Sequence, residues 1–256
     1  MKAISWVFGL LLGTHLSQVL GEIVIDRTRV IYPATAREVT VNLHNPTDSP
    51  RLVQAWIDGG DPQVPPESSD APFTLTPPIL RLEPGKGRAL RLMYQPEPGH
   101  PTASAVESVF WLNVLGIRPS FDTPVVGNHM QFAFRSRIKL FLRPDGLPGL
   151  AEEAGQSLHW RLERAGPVLQ VHNPSAFHVT LSRVGVTVAG TEYRHDNPPM
   201  LVPQSTTQIA LTGRGMPRQG DAMLHFTTLD DQGQAREHAV SLSSAVRHRD
   251  KGQGGG

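Results

Sequence analysis

The stretch HMQFAFRSRIKLFLRP, residues 129 to 144, holds two kinds of side chain that can act on a partner molecule. Met130, Phe132 and Phe134 stand on alternate positions with Gln131 and Ala133 between them, and Arg135, Arg137 and Lys139 follow at once. Alternation with a period of two marks a β-strand with two different faces, so the three bulky residues point one way. Their pattern leaves two destinations open, the chain's own core or the surface of another protein. The cations that follow are, on an ordinary strand, solvated or placed to guard an edge against pairing.

Bond-breaking or metal chemistry has no comparable footing. There is no Gly-x-Ser-x-Gly elbow, no phosphate loop, no His-Glu-x-x-His and no Gly-x-Gly-x-x-Gly, and GRGMPRQG has the wrong spacing. The 11 histidines are scattered singly, with no pair at metal-ligand spacing on an evident strand face. There is no cysteine, which excludes thiol chemistry, cysteine-based zinc sites and disulfides. No enzyme activity, no metal and no cofactor is expected. With 24 Lys plus Arg against 23 Asp plus Glu, the field of the whole molecule is weak and makes no case for nucleic acid or an anionic membrane as partner.

The elements that must position these residues are short strands. REVTVNLHNP (37 to 46), RLVQAWID (51 to 58), RALRLMYQ (88 to 95) and SVFWLNVLG (108 to 116) each alternate and are bounded by Pro, Gly, Asn or Asp. The 24 Gly and 23 Pro suit many strands joined by turns better than long helices. RPDGLPGL (143 to 150) is the best boundary, which places a first domain at 22–145 and a second at 146–246. The halves share local texture: Leu43-His44-Asn45-Pro46-Thr47 recurs as Val171-His172-Asn173-Pro174-Ser175, and Leu82-x-Pro84 as Leu201-x-Pro203. The fold class predicted is all-β, two immunoglobulin-like β-sandwiches in tandem. Residues 1–21, with Lys2, an apolar run from Ala3 to Leu12 and a cleavage point before Glu22, read as a secretory signal peptide. The tail at 247–256 has nothing to bury and is expected to be disordered.

DRTRVIYP (26 to 33), VQAWID (53 to 58), LTPPILRLEPG (75 to 85), ESVFWLNVLGIRP (107 to 119) and RIKLFLRP (137 to 144) together resemble the successive signature segments of the PapD-like periplasmic chaperones of the chaperone/usher pilus pathway. The resemblance implies a boomerang of two immunoglobulin-like domains around a cleft, in the periplasm. It also implies pilin subunits and an outer-membrane usher as partners, and no ATP. A pilin of that pathway lacks its last strand, and the chaperone lends one by β-strand addition. The matching residues imply that Met130, Phe132 and Phe134 enter the pilin groove, and that Arg29 and Lys139 hold its C-terminal carboxylate. They further imply that Glu107, Arg143 and Asp230 form a charged network between the domains, and that Thr76–Pro77 is cis. The short segment 118–128 points to the short-loop subfamily. The exposed edge implies weak self-capping pairing when the protein is free. One conflict stands: Lys139 is an odd number of residues from Phe134, so alternation puts them on opposite faces, which calls for edge pairing, a bulge or strong twist. A reading from another class is a secreted two-domain adhesin or structural sandwich that uses the same edge for self-assembly.

Overall fold

The computed structural model describes residues 23–96, 105–119, 132–163, 166–215 and 221–242. The expected signal peptide at 1–21, Met130, most of the segment 118–128 and the tail at 247–256 lie outside the described residues.

Alternation becomes layering most plainly in the sheet built on β3 (Val39–His44) and β7 (Gly87–Tyr94). There Val41, Leu43, Leu90 and Leu92 are buried while the residues between them face solvent. These strands centre a four-stranded sheet in the order β1 (Val24–Ile25), β3, β7, β5 (Phe73–Thr76). Across one shared core lies a five-stranded sheet in the order β2 (Arg29–Pro33), β9 (Phe134–Arg143), β8 (Ser108–Ile117), β4 (Arg51–Asp58), β6 (Ile79–Leu82). Val30, Tyr32, Val53, Ala55, Leu112, Val114, Leu140 and Leu142 supply its half of the packing. The Thr76–Pro77 bond is cis, as the resemblance led one to expect.

The first strand serves both sheets. β1 pairs antiparallel with β3, and the Asp26 amide still bonds to the Asn42 carbonyl at 3.0 Å. The chain then crosses the sandwich, and β2 pairs parallel with β9, Arg29 opposite Lys139 through Pro33 opposite Arg143.

The second sandwich has its own core. A three-stranded sheet, β10 (His159–Leu162), β11 (Val168–Asn173), β14 (Ser205–Ala210), faces a five-stranded one. The latter runs β15 (Thr212–Gly213), β13 (Thr191–His195), β12 (Thr180–Val188), β16 (Ala222–Leu229), β17 (Ala235–Leu242). Leu169, Val171, Ile209, Val184, Val186, Leu224 and Phe226 meet between the layers.

The repeated Asn-Pro motif is one structural device used twice. Asn45 and Asn173 are both fully buried. The Asn45 side-chain amide donates to the carbonyls of Ser49 and Leu82 at 2.9 and 3.0 Å, and that of Asn173 to Phe177 and Val202 at 2.8 and 3.2 Å. Each Oδ1 accepts from the backbone and hydroxyl two residues on, Thr47 or Ser175. A corner that leaves the sheet inside the protein must satisfy its backbone groups, and a buried Asn does so from the middle of the turn. The second half of the device is the segment at Leu82 or Leu201, which is why both motifs recur together.

Candidate functional site

The site is built on β9, whose two edges differ along its length. Along β8 it pairs without a break, from Gly116 opposite Phe134 to Ser108 opposite Leu142. On the other side β2 covers it only from Lys139 onward, because the preceding chain has turned away to the other sheet as β1. Among the described residues, no strand covers the backbone of residues 134–138 on that side. A row of unpaired N–H and C=O groups of this kind is a template for another strand.

Along the inner face of β9 the core is left behind as the strand is followed back from Leu142 to Phe134. Phe134, Ser136, Ile138, Leu140 and Leu142 share one face; Leu140 and Leu142 are buried, Ile138 packs against the core, and Phe134 is 56% exposed. Phe132, just before the strand, is 59% exposed. The two phenylalanines therefore continue the apolar row of the core past the end of the sandwich.

The outer face carries the cations, and this resolves the phase conflict. The β8–β9 register is regular, so no bulge shifts Lys139 onto the side of Phe134. Arg135, Arg137, Lys139, Phe141 and Arg143 instead point toward the second sandwich or along the outer surface. Lys139 Nζ bonds to Thr180 Oγ1 at 3.2 Å, and Arg29 Nη1 to the Leu229 carbonyl at 3.1 Å. As partners in a parallel register, Arg29 and Lys139 stand side by side, about 4.8 Å apart along the hydrogen-bonding direction. Arg29 is only 8% exposed and its Nε has no partner. Burial lowers the Arg29 pKa, and Asp231 and Asp230 offset this only in part. Burial, reinforced by the Arg29 charge, brings Lys139 down to about 8. Two largely desolvated cations with no ion pair among the described residues create a local positive potential that can attract an anion such as a carboxylate.

Arg137, by contrast, is already paired. Its Nη2 meets Asp58 Oδ1 at 2.6 Å and its Nε meets Oδ2 at 3.2 Å. Asp58 is 1% exposed and also accepts from Asn113 Nδ2 at 2.7 Å and the Gly60 amide at 2.8 Å. Burial pushes the Asp58 carboxyl up, but Arg137, Asn113 and Gly60 outweigh it and hold it below the ordinary value. The Arg137 guanidinium lies 4.1 Å from the centre of the Trp111 ring, and Lys139 Nζ 5.8 Å from the same ring.

The expected charged network is present in part, with one substitution. Arg143 Nε bonds to Glu107 Oε1 at 2.9 Å. Its two terminal nitrogens grip Asp231, not Asp230, at 2.7 and 3.0 Å. Asp230 is consumed by its own turn: Oδ1 accepts from the amides of Gln232 and Gln234, and Oδ2 pairs with Arg236. That turn presents Asp231 to Arg143, the Leu229 carbonyl to Arg29, and Gly233 against the Thr28 hydroxyl. Gly233 has φ +80° and no room for a Cβ, so both backbone and contact require glycine.

Sequence reasoning missed His178. Its backbone N–H donates to Glu107 Oε2 at 3.0 Å and its Nδ1 lies 3.1 Å from the same oxygen, while the Glu107 amide bonds to the Ala176 carbonyl at 2.9 Å. Glu107, 3% exposed, thus sits between Arg143 of the first sandwich and His178 of the second. Removing one member of a buried charged cluster strands the others, so Glu107→Gln is expected to cost about 3 kcal/mol. Denaturant unfolding measures it, and a loss under about 1 kcal/mol would mean that the cluster does not hold the halves together.

Two immunoglobulin-like sandwiches are thus joined through an ion network, and the first carries an open strand edge beside a pair of cations. Residues 22–148 match the family described as pili and flagellar-assembly chaperone, PapD N-terminal domain, and residues 153–240 match the pili assembly chaperone PapD, C-terminal domain. The chain belongs to this PapD-like chaperone family. It is 39% identical over 223 residues to the chaperone protein FimB/FhaD of Bordetella pertussis, covering 86% of this chain and 88% of that one. The solved structure of the YadV chaperone is similar with a TM-score of 0.74 at 36% identity, over 87% of this chain and 100% of that one. A structure of the Salmonella enterica SafA pilin in complex with the SafB chaperone matches with a TM-score of 0.67 at 28% identity, over 87% of this chain and 96% of that one.

Proposed function

We propose that this protein is a periplasmic chaperone that holds pilin subunits by donor-strand complementation and delivers them to an outer-membrane usher, without ATP. The observation that carries this reading is the half-open β9, with Phe132 and Phe134 exposed at one end and the Arg29–Lys139 pair at the other. A subunit strand added along residues 134–138 gains backbone hydrogen bonds, an apolar row fills its groove, and the cation pair receives its terminal carboxylate. Anchoring a chain end at a fixed point sets the register of all the pairing that follows. Family membership supports the chaperone role, and the relative solved with a pilin supports the class of partner. In this reading residues 1–21 serve export, and Met130 is a third residue that enters the subunit groove.

The test is to purify the tagged chain from the periplasm of cells that carry it and sequence what accompanies it. A small subunit of pilin type, recovered in about equal amount, is the expected result. A chain that travels alone and binds a host or glycan ligand would replace the chaperone by an adhesin. The usher step is tested by recovery of an outer-membrane protein with the loaded chaperone and not with the free one.

A further inference from the structure

We propose that Asp58, Asn113 and Arg137 form a staple that orders the open half of β9 before a subunit arrives, which makes Arg137 a positioning residue for capture; this rests on the reading of β9 as the donor strand. Among the described residues, 134–138 are paired on one side only, with β8, and a strand held on one side opens locally more readily than one held on both. Arg137 answers this from the outer face. It lies opposite Asn113 on β8 and reaches across that strand to Asp58 at the end of β4, so side chains of three successive strands are tied together. Arg137 Nη2 also donates to the Gly60 carbonyl at 2.9 Å, and the Trp111 ring supports the guanidinium from one side. Arg135 adds a second tie, to the Pro62 carbonyl at 2.9 Å, with its guanidinium 5.8 Å from the Trp56 ring.

Placement separates this cluster from ordinary stabilisation. None of its members belongs to either hydrophobic core. A buried ion pair stabilises little compared with an apolar replacement, so its contribution is geometric. Every tie uses the outer face of β9, which leaves Phe132, Phe134 and the unpaired edge free for the incoming strand. A strand already ordered loses little freedom on binding, so pre-organisation shows up in capture.

Hydrogen exchange on the full-length free protein tests the ordering without a partner. Arg137→Lys keeps the charge and the stem but cannot form the two-pronged bond. Asp58→Asn with Arg137→Gln removes both charges together, so neither is stranded. In both variants, the amides of residues 134–138 that bond to β8 are expected to exchange at least tenfold faster. Those of residues 140–142, covered by β2, should stay within about twofold of wild type. Unchanged protection at 134–138 overturns the staple, and equal loss across the whole first sandwich shows a merely structural role and overturns it as well. With the subunit that co-purifies with wild type as probe, Arg137→Lys should slow association about tenfold and change dissociation less than twofold. The reverse pattern overturns the role in capture. If wild type captures no subunit, the chaperone reading and with it the capture role fail, while the exchange data still decide whether the staple orders the strand.

Discussion

Phe132→Glu and Phe134→Glu are each expected to leave the free protein folded and as stable as wild type while subunit capture collapses. Both rings are more than half exposed, and surface substitutions away from caps and ion networks change stability by about 0.5 kcal/mol or less. In the proposed complex with a subunit the same position would face an apolar groove. The variant forfeits about 2 kcal/mol of ring burial and must also bring an unpaired carboxylate out of water, at several kcal/mol. Together these weaken capture on the order of a thousandfold or more. Thermal melts beside a pull-down of the subunit check it. A large drop in melting temperature would return these rings to the protein's own core, and normal capture by a stable variant would remove them from the donor row. The same exposed row invites copies of the free chain to pair, so either variant should also sediment as a monomer at concentrations where wild type self-associates.

Much of this arrangement is legible in the chain because it is local. Val41, Leu43, Leu90 and Leu92 announce their strands by alternation, and the two Asn-Pro corners announce the duplicated sandwich by their spacing. The odd interval between Phe134 and Lys139 needs no bulge, because the two residues serve opposite faces of one strand. The strand is regular, and its two faces do different work: apolar side chains continue the core on one, and cations line the other. Asp230 and Asp231 are adjacent and chemically alike, so only the turn distinguishes them. The signal was available, since an Asp three residues before Gly233 is placed to bond its own turn, which leaves Asp231 to reach Arg143. His178 and Asp58 are another matter. They meet Glu107 and Arg137 across 71 and 79 residues of sequence, and no local period records such a meeting. Arg135, Arg137 and Lys139 read alike as positive charge beside an apolar row. What distinguishes them is that Asp58 occupies Arg137 while Lys139 stands beside a second cation.

Replacing both Arg29 and Lys139 with Ala is expected to abolish subunit retention without unfolding the chaperone, and the part due to Lys139 should carry a pH signature. Two charge-assisted hydrogen bonds to a carboxylate contribute about 1.5 to 3 kcal/mol each, so their loss weakens binding by roughly a hundredfold to ten-thousandfold. The free protein gives up the Arg29 bond to Leu229 but is relieved of two crowded, half-desolvated charges. With Lys139 near 8 in the free chaperone, a bound carboxylate favours its charged form and raises its pKa in the complex. Binding therefore takes up a proton above that point: affinity is greatest below pH 8 and falls by as much as tenfold per unit as pH rises through 8 toward the pKa of the complex. Folding of the free protein runs the other way. The lowered pKa means that the charged lysine penalises the folded state below pH 8, and the penalty fades between 8 and the unfolded value of about 10.4. Lys139→Arg, charged throughout this range, should bind with a flat profile, and Lys139→Ala should bind weakly with a flat profile. Titration of subunit affinity from pH 7 to 10 for the three proteins decides the assignment. A wild-type slope that survives in Lys139→Ala would place the titrating group elsewhere, and undiminished retention by a folded double variant would remove the cation pair from the site.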